Sequence, residues 1–323
     1  MPSHISLKCA DARLAVWRGL IVVLVISAGC NAQTPVFHSN VNLINITFTV
    51  RGGDRKLIGD LNRDEVEVFE DGIQQKVSFF SRTSDLPLNL GLIVDASESQ
   101  AKFFKKHRRD IENFLKNVLG PQDQTFLLCF GNHLRLVSDF TKSVPQVIQN
   151  LDRFEHGERD FPEIGPVEDR EEGTAFYDSI FYSVTEKQAS SDHGRRALIV
   201  FSDGEDNSSA HHMLDAIEAA QTGDVLVYSV RYTEAKKGHL TGRNKYGIRV
   251  MERIARDTGA VDFDATKGDL DQTFRDIGAE LHSLYEVAYH ASYKPHDISF
   301  HKVMVQTTRD GAAVRAKSGY FAK

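Results

Sequence analysis

From residue 88 onward, short apolar runs alternate with longer segments of helical period, and that rhythm restricts the chain to a mostly parallel α/β sheet. The runs fall at residues 88–94, 125–130, 197–202 and 224–230, with a weaker one at 261–264. Helical faces lie between them. Phe103, Phe104, Ile111, Phe114, Leu115 and Val118 share one face, and Met213, Leu214, Ile217 and Ala220 another. The run "HLRLV" follows "TFLLCFGN" so closely that the two predict a hairpin, which places one antiparallel strand in the sheet. At 323 residues and 41% hydrophobic, the chain has ample material for such a core.

The flanks follow a different period. Residues 36–85 alternate apolar and polar, and in "VEVFEDGIQQKVSFF" the pair Asp71-Gly72 separates two alternating runs, a hairpin signal. After the helical stretch "DLDQTFRDIGAELHSL" the period returns to two in "YEVAYHASY" and "HKVMVQTT", and "AVRAKSGYF" closes the sequence. Neither flank has enough strands to be stable alone, so the two are expected to complete one small all-β unit. The expected organisation is a leader at 1–32, β segments at 36–85 and 285–323, and an α/β domain at 86–284.

Lys8, Arg13 and Arg18 precede the apolar run "LIVVLVISAG", too short to span a bilayer comfortably and followed by small residues. This reads as a secretory signal, so the mature protein is expected outside the cytoplasm, secreted or in the cell envelope, with no membrane span. Two processing routes fit: cleavage after Ala32, or lipidation of Cys30 in "SAGC" as an anchor. Loss of Lys8, Asp11, Arg13 and Arg18 moves the net charge from −6 to −8, which argues against a nucleic-acid partner. Cys9 and Cys30 lie in the leader, so Cys129 is the one thiol of the body and no intramolecular disulfide is available there. Its apolar surroundings in "TFLLCFG" suit a buried, inert side chain.

The apolar stretch at 88–94 ends abruptly in Asp95, Ser97 and Ser99. Asp203 follows a second apolar run in "ALIVFSDGEDN", and Thr174 sits in the turn before a helix in "EEGTAFYDSI". In an open parallel sheet, ligands bind outside the carboxyl ends of the strands, where strand order reverses. These five residues form an all-oxygen set suited to Mg²⁺ or Mn²⁺ rather than zinc. Two carboxylates neutralise such an ion only in part when one acts through water, which leaves a place for an external anion. The simpler reading of Ser97 and Ser99 is helix capping. Glu205 and Asp206 read as solvated loop charges, His211 and His212 as surface residues, and Lys102, Lys105, Lys106, His107, Arg108 and Arg109 as a solvated helix face. The long loops 152–173 and 233–247 are expected on the same face as the site.

"DASES", Thr174 and the Asp203 of "SDGED" resemble the metal-ion-dependent adhesion site of von Willebrand factor type A domains, Asp-x-Ser-x-Ser, then Thr, then Asp. With "VEVFEDG", "LPLNLGLIVD", "GTAFYDSI", "ALIVFSDGED" and "RAKSGYF", the chain resembles the von Willebrand factor A-related family abundant in acidobacteria. The resemblance implies a Rossmann-like, doubly wound sheet, with Ser97, Ser99 and Thr174 as direct metal ligands and Asp95 and Asp203 completing the set. Glu98 stands where relatives often carry Gly. The expected function is a metal-dependent adhesion or scaffold module that binds a protein partner through that partner's carboxylate, and not an enzyme. A structural envelope protein with a vestigial site is the alternative. A Mg²⁺-dependent phosphohydrolase of the haloacid dehalogenase type needs a second carboxylate two residues after its nucleophile, where this chain has Ser97. Walker, GxGxxG and GxSxG signatures do not follow any of the strands.

Overall fold

Turn chemistry organises the first strands of the computed structural model, which describes residues 43–83, 86–166, 172–191, 194–233, 239–291 and 297–322. The leader at 1–32 and the start of the first β segment lie outside the described residues. After β1 (Leu43–Arg51), strands β2 (Val66–Glu70) and β3 (Ile73–Gln75) are joined by Asp71 and Gly72, at φ of 50° and 84°. Two consecutive left-handed residues match the twist of a two-residue hairpin, and β2 pairs β3 antiparallel as the sequence predicts. Strand β4 (Val77–Arg82) completes the leading group.

The α/β part comprises β5 (Leu88–Asp95), α1 (Phe104–Val118), β6 (Gln124–Phe130), β7 (Leu134–Thr141), α2 (Val144–Glu155), α3 (Phe176–Tyr182) and β8 (Arg195–Ser202), followed by α4 (Met213–Thr222), β9 (Val225–Arg231), α5 (Gly242–Asp257), β10 (Asp262–Asp264) and α6 (Leu270–Leu281). The sheet order is β10-β9-β8-β5-β6-β7, parallel except for β7, which returns antiparallel beside β6. All eight residues of β5 are buried because helices cover both faces. On one side Leu90, Leu92 and Val94 meet Ile111, Phe114 and Leu115 of α1 and Phe274 and Ile277 of α6. On the other, Ile93, Phe126 and Val200 meet Ile180, Ile217, Met251 and Ile254. The chain leaves β5 toward β6 on one side and later reaches β8 on the other. Strand order therefore reverses at β5, and the ends of β5 and β8 open a crevice there.

The chain closes with β11 (Tyr285–His290), β12 (Phe300–Thr307), β13 (Ala313–Ala316) and β14 (Gly319–Phe321). These form two four-stranded sheets with the leading strands, in the orders β13-β1-β11-β4 and β14-β12-β2-β3. Ile46, Phe48, Val68, Val287, Tyr289 and Val303 fill the space between the sheets. Glu70 is buried there and accepts hydrogen bonds from the hydroxyls of Tyr289 at 2.6 Å and Tyr320 at 2.8 Å. The two flanks thus share sheets, and residues 41–323 form one compact unit. Among the described residues, no helix is long and apolar enough to cross a membrane.

Three sequence readings need correction. Leu214 is 54% exposed, and α4 instead buries Ala216, Ile217 and Ala220. His107, expected on a solvated face, is fully buried, its ring 4.2 Å from that of Tyr232. Burial holds its imidazole neutral, with its pKa lowered to about 3. Part of the first long loop is a sheet edge: Leu136 N–H donates to the Pro162 carbonyl at 2.7 Å and Ile164 N–H to the Leu134 carbonyl at 3.1 Å. Arg135 and Glu163 pair beside that edge at 2.8 Å.

Candidate metal centre

Asp95 is the last residue of β5, and Asp203 follows the last residue of β8. Parallel pairing in register, Val94 opposite Phe201, brings the two turns together. Asp95 is fully buried, and both its oxygens are engaged: Oδ1 accepts from Ser97 N–H at 3.0 Å and Oδ2 from Ser202 Oγ at 2.6 Å. Burial first, and the nearby charge of Asp203 second, push its pKa up to about 7. Ser202 Oγ in turn accepts from Gly204 N–H at 3.0 Å.

Ser97 stands at the N-terminus of a 3₁₀ segment, Glu98–Phe103, yet its side chain makes no capping hydrogen bond. The capping reading therefore fails for this hydroxyl. Ser97 Oγ lies 3.2 Å from Ser99 Oγ, and Ser99 Oγ donates to Asp203 Oδ2 at 3.3 Å. Asp203 Oδ2 also accepts from Gln100 Nε2 at 2.7 Å, while Oδ1 accepts from Glu205 N–H at 3.1 Å.

Thr174 is buried in the turn before α3, as expected. Its N–H donates to Asn207 Oδ1 at 2.6 Å, and its carbonyl accepts from the N–H groups of Asn207 at 3.1 Å and Ser208 at 3.3 Å. Next to it, Ala175 N–H donates to the Gly131 carbonyl at 2.8 Å, and Ala96 N–H to the Phe130 carbonyl at 2.7 Å. These bonds lace the three motif segments around the end of β6. Among the described residues, Thr174 Oγ1 forms no hydrogen bond to Asp95, Ser97, Ser99 or Asp203. Four of the five residues thus form a linked set, with the Thr174 segment tied alongside through its backbone.

The surroundings of α3 depart from the sequence reading. Asp206 is no solvated charge: it accepts from the N–H groups of Phe176 at 2.9 Å and Tyr177 at 3.3 Å, and burial raises its pKa. His211 stacks on Phe181 with centroids 3.7 Å apart and bonds buried Asp178 through Nδ1 at 2.8 Å. Cys129 is buried as expected, and burial pushes its thiol pKa up. Gln100 and Ser202, the neighbours that hold the two carboxylates, were not singled out from sequence. Ser202 had one signal, its place beside Asp203 at a strand end. Gln100 had none, because its role depends on the 3₁₀ turn.

The donor set fits a hard divalent cation. Ligand bonds of about 2.1 Å place neighbouring oxygens of an octahedron about 3.0 Å apart. The Ser97–Ser99 and Ser99–Asp203 oxygen separations of 3.2 and 3.3 Å need little adjustment to reach that spacing. Because Asp95 is tied at both oxygens, it is placed to act through a remaining lone pair or an intervening water. Among the described residues, no group of three or more His, Cys, Asp or Glu side chains is arranged to hold a metal ion, so an ion here depends on the hydroxyls.

The doubly wound sheet, its antiparallel edge strand and the oxygen set at the reversal point define a von Willebrand factor A-like fold. No family model and no curated protein matches the chain. Solved structures that match include an aerotolerance-related membrane protein from Bacteroides fragilis, at 13% identity over 60% of this chain and 98% of that one, TM-score 0.45. The SpRpn10 VWA domain matches at 12% identity over 58% and 93% of the two chains, TM-score 0.39. Proximal thread matrix protein 1 from the mussel byssus, with a zinc-occupied MIDAS motif, matches at 13% identity over 67% and 50%, TM-score 0.45.

Proposed function

We propose that this chain is an exported, metal-dependent protein-binding module, used in adhesion or as a scaffold, and not an enzyme. The observation that carries the reading is the linked oxygen set Ser97–Ser99–Asp203 beside a buried, incompletely neutralised Asp95. Mg²⁺ or Mn²⁺ would be held by Ser97, Ser99 and Thr174, with Asp95 and Asp203 completing the set directly or through water. Neutral hydroxyls leave such an ion electron-poor, so a carboxylate from a protein partner completes its coordination. Phosphohydrolase chemistry of the haloacid dehalogenase type would need a second carboxylate two residues after Asp95, where this chain has Ser97. We also propose that the chain belongs with the von Willebrand factor A-related proteins abundant in acidobacteria, on the motif segments "DASES", "GTAFYDSI" and "ALIVFSDGED".

Isothermal titration with Mg²⁺ and Mn²⁺ tests the core claim. The double variant Ser97→Ala, Ser99→Ala loses two neutral ligands at the solvent edge, and its metal affinity is expected to fall at least tenfold while the fold survives. Equal binding by variant and wild type would place the ion elsewhere or show the site to be vestigial.

Export rests on the charged start and apolar run of the leader. Intact-mass analysis of protein from the envelope fraction is expected to show an N-terminus at Gln33 or a diacylated Cys30. Recovery of the full chain from Met1 in the cytoplasm would overturn it.

A further inference from the structure

A cavity of about 580 Å³ opens directly beside the candidate metal centre and shares Ser99 and Asp203 as one wall. It rests on the sequence around α5 as much as on the motif. The first turn of α5 places Arg243 and Asn244 in the far wall, where Thr241 caps the helix by accepting from Asn244 N–H at 3.1 Å; part of the stretch expected as the loop 233–247 is thus helix. Phe103 forms the near wall, with Lys102 Nζ 5.1 Å above its ring, and the buried ring of Tyr232 forms part of the lining between them.

The charges around this cavity restrict what it admits. Lys102 and Arg243 oppose a cationic side chain, while Glu98 and Glu205 oppose a second acidic one. Arg243 faces Glu205 at 3.5 Å, so both signs of charge stand side by side among the described lining residues. A neutral ring satisfies both signs. It stacks against Phe103, its faces attract Lys102 and Arg243, and its edge meets polar groups. One of those groups is unfinished: Gln100 Oε1 is buried without a hydrogen-bond partner. The cavity size suits one large side chain with room for its backbone.

We infer that the partner presents an acidic residue with an aromatic residue directly beside it, the carboxylate reaching the metal and the ring entering this cavity. The inference rests on the metal-dependent reading above and narrows it to a recognition motif. Tyrosine fits best among the aromatic residues, since its hydroxyl gives the polar walls a partner that phenylalanine lacks.

The test uses the full mature chain and short labelled peptides containing Glu-Tyr, Tyr-Glu, Glu-Ala or Ala-Glu, read by fluorescence polarisation at saturating Mg²⁺ and again with chelator. A Mg²⁺ titration comes first. Absence of Mg²⁺ binding would sink the metal-dependent reading itself, and this inference with it. Given bound metal, one tyrosine peptide is expected to bind about tenfold tighter than its alanine counterpart, the size of a stacked ring plus a cation–π contact. The advantage should vanish with chelator. Phe103→Ala should bring the tyrosine and alanine peptides together. Arg243→Ala, at an exposed position that carries no folding risk from the core, should narrow the gap as well. Equal affinities at saturating Mg²⁺, no detectable binding of any peptide, or a tyrosine advantage that persists in chelator would each overturn the motif while leaving the metal titration to speak for the site.

Discussion

Asp95→Asn is expected to stabilise the metal-free protein at pH 8 by on the order of 3 kcal/mol while abolishing most of its metal affinity. The wild-type carboxyl is fully buried, and its pKa is pushed up from 3.8 to about 7 by burial and by Asp203. Since the folded-state value lies above the unfolded one, the folded protein binds this proton more tightly. Below about pH 4 both states are protonated and the ionisable group costs nothing. As pH rises from about 4 to about 7 the unfolded chain ionises first, and stability is progressively lost; above that it levels off. Asparagine removes this titration. Its carbonyl oxygen can keep the Ser97 N–H bond, and its amide can donate to Ser202 Oγ, so the replacement is nearly isosteric. Thermal melts of both proteins from pH 4 to pH 8, with chelator, should show the gap opening across that window. Mg²⁺ should close it, because an ion that binds the wild-type carboxylate recovers the lost stability only there. A pH-independent gap, or equal stabilisation of both proteins by Mg²⁺, would show that Asp95 is neither strained by burial nor linked to the ion.

Gly247→Ala is expected to destabilise the fold by about 1–3 kcal/mol and to weaken metal binding together with it. The sign is opposite to the usual one. A glycine in a helix interior costs stability relative to alanine, so replacing it ordinarily helps. Here α5 runs against the loop of Asp203: a Cβ at Gly247 would lie 2.3 Å from the Asp203 carbonyl oxygen, which is backbone and has no rotamer to escape into. Gly204 presses back from the other side. At φ of +77° it occupies left-handed space, and a Cβ there would lie 2.5 Å from the Gly247 carbonyl. The helix and the loop can separate only by moving Asp203. Its contact with Ser99 Oγ is already 3.3 Å, so even a small shift breaks the oxygen set. Chemical denaturation and Mg²⁺ titration of Gly247→Ala, with Arg249→Ala as an exposed control on the same helix, check this. Wild-type metal affinity in a folded Gly247→Ala protein would show that the loop accommodates the methyl without disturbing the site.

The strands of the central sheet were legible because each is apolar along its length and covered on both faces. The run expected at 88–94 forms Leu88–Asp95, and that at 224–230 forms Val225–Arg231. The antiparallel return of β7 followed from a connection too short for a crossover. The linked carboxylates and hydroxyls were legible for a related reason: a charged residue ending a buried strand has few places to go except the crevice at the sheet's edge. Other residues gave no such signal. His107 reads as one more member of a basic run, and Asp206 as one more acid in "SDGED", yet packing buries the first and α3 claims the second as its N-terminal acceptor. Both outcomes depend on which elements arrive from far along the chain, Tyr232 in one case and the turn before α3 in the other.

By itself the sequence determined the alternation of strand and helix, the hairpin at Asp71-Gly72, and the placing of Asp95 and Asp203 at strand ends, since these depend on the period and polarity of neighbouring residues. Only the tertiary structure decided that Ser97, Ser99 and Asp203 link while Thr174 is tied alongside through its backbone, and that Gln100 and Ser202 hold the carboxylates. It alone decided that α5 presses its backbone on the loop and opens a cavity beside it. These features depend on ångström-scale register between segments about a hundred residues apart, a distance that local pattern does not encode.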